Sequence, residues 1–333
     1  MAAAQRQSKE RPYALHTPER GAPPMAESPK LGPGERWFAW EGMEMAIPRD
    51  WDPAALHKGY LRIEDASRTT LELRWRVSPA GKSIQDIAGS YVARLEAELG
   101  GRPLAGLNAE ELSPLPSRYE IAPFAVETGD TVFHGAALRC PECRRIVFLQ
   151  TGTPRGEEEI ATPDAWLRVL ASFRDYHAPD WIPWSLFDIR AEIPGGFRLH
   201  SHSFQPGYFR MTFRQGLRWL ALHRWAPADV LMRRISLIEW AAAQYRRETE
   251  RRFRTPRIRT FNEFSAVEIV PKDAQGVIQR LSRALLRPES FRALMWHNAE
   301  TNRILGVEMT GGGRAWLPLF YEVAGRFTIL KGK

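Results

Sequence analysis

The sequence predicts an α+β protein made of two tandem homologous modules, each an antiparallel β-sheet packed with helices. Three observations lead there. The chain has 333 residues, enough for about two domains of ordinary size. A set of short motifs occurs twice in the same order. Within each copy, apolar residues switch between the two-residue period of strands and the longer period of helices.

The repeated motifs carry most of the weight. Trp37-Phe38-Ala39-Trp40 is matched by Trp181-Ile182-Pro183-Trp184, 144 residues later. Ile47-Pro48 with Trp51 is matched by Ile193-Pro194 with Phe197 at 146, and Gly59-Tyr60-Leu61-Arg62-Ile63 by Gly207-Tyr208-Phe209-Arg210-Met211 at 148. Arg74-Trp75 recurs as Arg224-Trp225 at 150, and Arg145-Ile146 as Arg303-Ile304 at 158. Ala165-Trp166-Leu167 before Phe173 recurs as Ala315-Trp316-Leu317 before Phe327. A drifting offset is what duplication followed by loop insertion leaves, and the period is too long for a solenoid repeat. Modules are therefore expected at 35–177 and 178–333. Residues 1–34 hold six prolines and few large apolar side chains, too little to offset the entropy of ordering, and are expected to be a disordered tail.

Element by element, Leu61–Asp65 and Thr69–Val77 read as strands, the second placing Leu71, Leu73, Trp75 and Val77 on one face. Ser83–Leu99 follows with apolar residues at helical spacing and is stopped by Gly100-Gly101. Thr131–Arg139 and Ile146–Thr151 form a hairpin, and Thr162-Pro163-Asp164 opens a short helix with proline in its first turn. In the second copy, strands are expected at Tyr208–Phe213 and Leu217–Trp225, a helix over Ala228–Arg247, and an added helix near Gln275–Leu286. Short turns between strands favour antiparallel pairing.

A unit that opens on Ile-Pro-x-x-aromatic and closes on a short helix ending in Ser172-Phe173 resembles the PsbP-like superfamily. That family includes a photosystem extrinsic subunit and a nuclear import factor that binds a small GTPase. The resemblance implies a non-catalytic module that binds other macromolecules. No binding residue of the family maps onto a motif here. Many bacterial and plastid members are exported or lipidated. This sequence shows no apolar leader, lipid-anchor cysteine or membrane-length apolar run, and a cytoplasmic location is expected.

Charge divides the copies. The net charge is +8, but residues 35–175 carry −5 and residues 176–333 carry +11. The densest basic run supplies Arg246, Arg247, Arg251, Arg252, Arg254, Arg257 and Arg259 against two glutamates. Such a run can dock an acidic protein, since guanidinium forks match carboxylates. It can also neutralise nucleic-acid phosphates, or lie solvated on the surface.

Cys140-Pro141-Glu142-Cys143 is half of a zinc signature, since a structural zinc takes four ligands. A redox role would need the first cysteine at a helix amino terminus, whereas Arg144–Phe148 continues as a strand. A plain hairpin turn is the third reading. His200-Ser201-His202 could set two imidazoles on one face of a strand, which would suit a metal, but with no carboxylate or cysteine nearby in sequence it reads as a polar turn. Trp37, Trp40, Trp75, Trp181, Trp184 and Trp225, at repeated positions, are expected in the core or between modules, while Trp219, Trp240 and Trp296 are candidates for a surface. Phosphate-loop, dinucleotide, zinc-protease and nucleophile-elbow motifs are missing. The expectation is a non-enzymatic macromolecular binding or assembly protein acting through the basic second module. A nucleic-acid-associated protein and a zinc protein using Cys140 and Cys143 are the alternatives.

Overall fold

The computed structural model describes residues 31–66, 69–104, 119–155, 163–176, 179–245, 256–270, 291–311 and 314–330. In the first half, β1 (Glu35–Trp40), β2 (Met43–Pro48), β3 (Asp52–His57), β4 (Tyr60–Glu64) and β5 (Thr70–Val77) lead into helix α1 (Ile84–Leu99). Then come β6 (Arg102–Leu104), β7 (Glu120–Glu127), β8 (Thr131–Arg139), β9 (Arg145–Pro154), α2 (Pro163–Ser172) and the two-residue β10 (Arg174–Asp175). The second half opens with β11 (Trp181–Leu186), β12 (Ile189–Pro194), β13 (Arg198–Gln205), β14 (Tyr208–Gln215) and β15 (Arg218–Trp225). It continues through α3 (Ala228–Leu231), α4 (Leu237–Gln244), β16 (Arg257–Phe261), β17 (Phe264–Ile269), β18 (Phe291–Asn298) and β19 (Arg303–Thr310). A 3₁₀ turn at Arg314–Trp316, α5 (Leu317–Gly325) and β20 (Thr328–Ile329) close it.

Three sheets result, with every ladder antiparallel. One seven-stranded sheet runs β3-β4-β5-β9-β8-β7-β6, and the other, β13-β14-β15-β19-β18-β17-β16, has the same order place by place. Between them lies a six-stranded sheet, β10-β2-β1-β11-β12-β20, to which both halves contribute. Its centre is the pairing of β1 with β11, in register at Ala39 and Ser185. Corresponding strands of the two hairpins are thus 146 residues apart. The 144 suggested by the Trp motifs is slipped by two residues, a slip that alternation hides because it keeps every side chain on its face.

The local chemistry explains the elements. Turn residues Glu41 and Gly42 both have positive φ (48° and 84°), which suits the tight hairpin between β1 and β2. Ser83 caps α1 by accepting from the Asp86 N–H at 3.0 Å, and Gly100 ends the helix in the left-handed region. In β5 the alternation buries Leu71 and Leu73 completely, but Val77 at the strand end is 76% exposed. At the end of α2, the Ser172 hydroxyl accepts from the Ala46 N–H (2.9 Å) and donates to the Val169 carbonyl, while Phe173 is fully buried. The Ser-Phe ending is therefore a clasp between helix and central sheet.

The main core lies on both sides of the central sheet and draws on both halves: Phe38, Trp40, Leu61 and Phe173 with Trp184, Phe213, Leu222 and Phe320. Trp40 and Trp184 meet edge to face at 5.1 Å. Smaller cores sit on the outer faces of the two large sheets, one under α1 around Tyr91 and Phe148, the other under α4 around Trp225 and Trp240.

Several expectations are corrected. The helix expected over Ala228–Arg247 is broken between α3 and α4. Ser236 and Glu239 form a capping box that starts a new helix, so a good N-cap prevails over continuous apolar spacing. Trp240 and Trp296 are buried core residues, not surface ones. His200 and His202 lie on β13, not in a turn, and a bulge between Leu199 and Ser201 sends them apart. The ring of His200 meets Trp219, and that of His202 meets Trp40 and Phe204. The added helix near Gln275–Leu286, the tail up to residue 30 and the module boundary at 177–178 lie outside the described residues.

Because Trp40 sits where the two halves share one core, Trp40→Ala should lower stability by about 3–5 kcal/mol in a single cooperative transition. Urea unfolding followed by circular dichroism measures this. A loss confined to one of two separate transitions would contradict the shared core.

Candidate functional site

The second half presents a basic, open sheet face. In β14 the alternation turns Met211 and Phe213 into the core and leaves Arg210 and Arg214 exposed. On the neighbouring β13, exposed Arg198 stands directly opposite Arg214. Like charges opposed across a ladder are destabilising. Arg214 donates to the Gly216 carbonyl (2.8 Å) and lies over the Trp219 ring at 5.1 Å, with the His200 ring on the same indole at 4.7 Å. Among the described residues, no carboxylate forms an ion pair with Arg198, Arg210 or Arg214. At the start of its own β3–β4 ladder, likewise just before a bulge, the first half sets Asp52 opposite Glu64. There the charges are answered, Asp52 by Arg36 at 2.7 Å and Glu64 by Arg62 at 3.1 Å.

Of the basic run singled out in the sequence, Arg246, Arg247, Arg251, Arg252 and Arg254 lie outside the described residues. Arg257 is exposed on β16, the edge of the sheet opposite to β13. Arg259 is not free for a partner. Its Nε lies 2.6 Å from Glu268, a fully buried carboxylate that Arg292 and Tyr321 also engage. Burial, and then the bond to Glu268, push the Tyr321 hydroxyl up to about 12. This cluster ties β16, β17 and β18 to α5.

A buried polar chain lies beneath α4. The Tyr208 hydroxyl is 2.9 Å from His223 Nδ1, His223 Nε2 is 3.2 Å from Glu308, and the Tyr245 hydroxyl donates to the same carboxylate. The first half has a comparable chain under α1, in which Tyr91 donates to Gln150 (2.9 Å) and Gln150 donates to Glu72 (3.3 Å). Both chains join the outer helix to the sheet. Burial alone would raise the Glu308 carboxyl, but His223, Tyr245 and Arg210 outweigh it and hold it below the ordinary glutamate range.

The Cys-x-x-Cys motif forms the turn between β8 and β9, closed by Arg144 N–H donating to the Cys140 carbonyl at 3.0 Å and by Arg144 in the left-handed region (φ 56°). Cys140 is buried and Cys143 half-buried. The structure adds a residue that spacing did not reveal, Asp175 of β10, whose carboxylate is 3.6 Å from Cys143 Sγ. Cys140, Cys143 and Asp175 each offer a ligand atom, all within 4.8 Å of one another. Arg145 holds the other carboxylate oxygen at 2.6 Å. Burial, and then Asp175 and Cys140, push the Cys143 thiol up to about 11, although the Arg145 backbone N–H bonded to it works the other way. A nucleophilic or redox-active cysteine is shifted downwards instead.

Glu308 offers a check on the polar chain. A carboxyl held low in the fold contributes stability above its unfolded value of about 4.5 and loses it as pH falls through the folded value. Glu308→Gln should therefore give a shallower loss of stability below about pH 4.5 than the unaltered protein. Parallel curves from chemical denaturation at stepped pH would count against the assignment.

No family model matches this chain, and no curated protein does. Solved structures give distant similarities. Cyanobacterial PsbP (CyanoP) from Synechocystis sp. PCC 6803 is 14% identical with a TM-score of 0.34, over 46% of this chain and 100% of that one. The Ran-binding protein Mog1p of Saccharomyces cerevisiae is 9% identical with a TM-score of 0.33, over 44% of this chain and 96% of that one. These two neighbours share a PsbP-like fold.

Proposed function

We propose that this is a non-enzymatic binding and assembly protein, formed by duplication of one PsbP-like module, whose basic second half contacts an acidic macromolecular partner. The observation that carries the reading is the reversal of charge at one position of a common frame. Where the first half places Asp52 opposite Glu64, each with an arginine beside it, the second places Arg198 opposite Arg214, and among the described residues neither forms an ion pair with a carboxylate, the nearest influence being that of Arg198 on Glu41. An acidic partner would relieve that repulsion, and arginine suits it because its planar fork binds carboxylates in pairs. The duplication is supported by the identical strand order of the two large sheets, the paired helix-to-sheet tyrosine bonds and the matching left-handed turn residues Arg144 and Asn302.

A protein partner is the first reading and nucleic acid the second. The half-exposed Trp219 between Arg214 and His200 favours the latter, since an indole beside cations is a surface on which bases stack. The basic run up to Arg257 would extend the contact only if the partner also reaches the β16 edge.

The double substitution Arg198→Glu, Arg214→Glu should abolish capture of partners from host lysate while leaving the melting temperature within a few degrees. Arg257→Glu should leave capture intact. Capture that survives the double substitution would sink the proposal. Partners lost on nuclease treatment, with binding that weakens steeply as salt rises, would put the nucleic-acid reading first.

A further inference from the structure

We propose that Cys140, Cys143 and Asp175 hold one zinc-class divalent ion, with a fourth position left to water. The donor types are right, because zinc takes thiolate and carboxylate ligands together. The spacing is right as well. With Zn–S of about 2.3 Å and Zn–O of about 2.0 Å at tetrahedral angles, sulfur and oxygen stand about 3.5 Å apart, and Cys143 Sγ is 3.6 Å from the near oxygen of Asp175.

The surroundings resemble a ligand's support. Asp175 has one oxygen turned to the sulfurs, while Arg145 fixes the other at 2.6 Å, which orients the carboxylate for one-point coordination. Two thiolates and a carboxylate carry three negative charges; Arg145 and a divalent ion carry three positive ones. The filled site is neutral, as a semi-buried site should be.

The second half shows that the frame does not need these residues. Its corresponding turn, between β18 and β19, has the same left-handed residue (Asn302, φ 54°) and the same arginine (Arg303). Where the first turn has Cys140 and Cys143, it has Asn298 and Thr301, with Asn298 Oδ1 accepting from the Thr301 N–H at 3.1 Å. Ile329, opposite Ile189 in the central sheet, takes the place of Asp175 opposite Met43. All three donors are present in one half and all three are replaced in the other. A turn of this shape closes without thiols, and β10 could pair without an aspartate.

The ion would join the turn of a seven-stranded sheet to the edge strand of the central one, so binding would stiffen that junction. This stands apart from the basic face, and the two proposals fail separately.

The test uses the full chain, purified under reducing conditions and stripped of metal. Cobalt(II) should produce a thiolate-to-cobalt charge-transfer band that saturates at one equivalent, and zinc should displace it and raise the melting temperature. Cys143→Ser and Cys140→Ser should each weaken zinc at least about 100-fold, and Asp175→Asn about 10–100-fold. Thr301→Val, at the matching turn, should bind as the unaltered protein does. Where a cysteine variant melts early, Asp175→Asn provides the reading. The proposal is overturned by a folded, fully reduced protein that binds neither ion at stoichiometric concentration. Binding that survives both cysteine substitutions would overturn it too.

Discussion

The pairing of β1 with β11 is the contact on which the other layers rest. These two strands meet at Ala39 and Ser185, the Ser185 hydroxyl donates to the Trp37 carbonyl at 2.8 Å, and the Trp40 and Trp184 rings close the join. Neither half supplies more than three strands to the central sheet, and the inner faces of both large sheets are covered only when that sheet is complete. A buried ion pair fixes the register further. Glu44 of β2, with no exposed surface, receives Arg190 of β12 at 3.1 Å and the Tyr176 hydroxyl at 2.7 Å. Leaving such a carboxylate unpaired would cost several kcal/mol, so slipped pairings of the two halves are disfavoured.

On this frame the two halves agree inside and differ outside. Strand order, the tyrosine bond from helix to sheet and the left-handed turn residue before the paired arginine are common to both. Exposed or half-exposed positions have taken different chemistry, Asp52 and Glu64 against Arg198 and Arg214 and Cys143 against Thr301, with buried Cys140 against Asn298 as the exception. Packing constrains the first group and not the second.

Legibility in the sequence followed the same division. Strand and helix periods, the glycine stop of α1 and the strongest pairs of strands could be read, because burial imposes a pattern on consecutive residues. The break between α3 and α4 was missed because apolar spacing runs through it, and only the Ser236–Glu239 pair marked it. Asp175 was invisible as a neighbour of Cys143, being 32 residues away and joined to it only by sheet order. Arg198, Arg210 and Arg214 looked like the ordinary polar half of amphipathic strands. The sequence signal that could have found them was the sign of charge at matched positions of the two halves, which charge density along a single run does not reveal.

The order of the central sheet reads the same from either end, with the two-residue strands β10 and β20 as its last members. Its innermost strands have no vacant side, since β1 lies between β2 and β11 and β11 between β1 and β12. A third unit of the same kind would find no place to enter, unlike a stacked repeat that can grow from its last member. The architecture therefore counts to two and stops. Growth of this sheet by further strands could take place at its outer members, β10 and β20, and not at its centre.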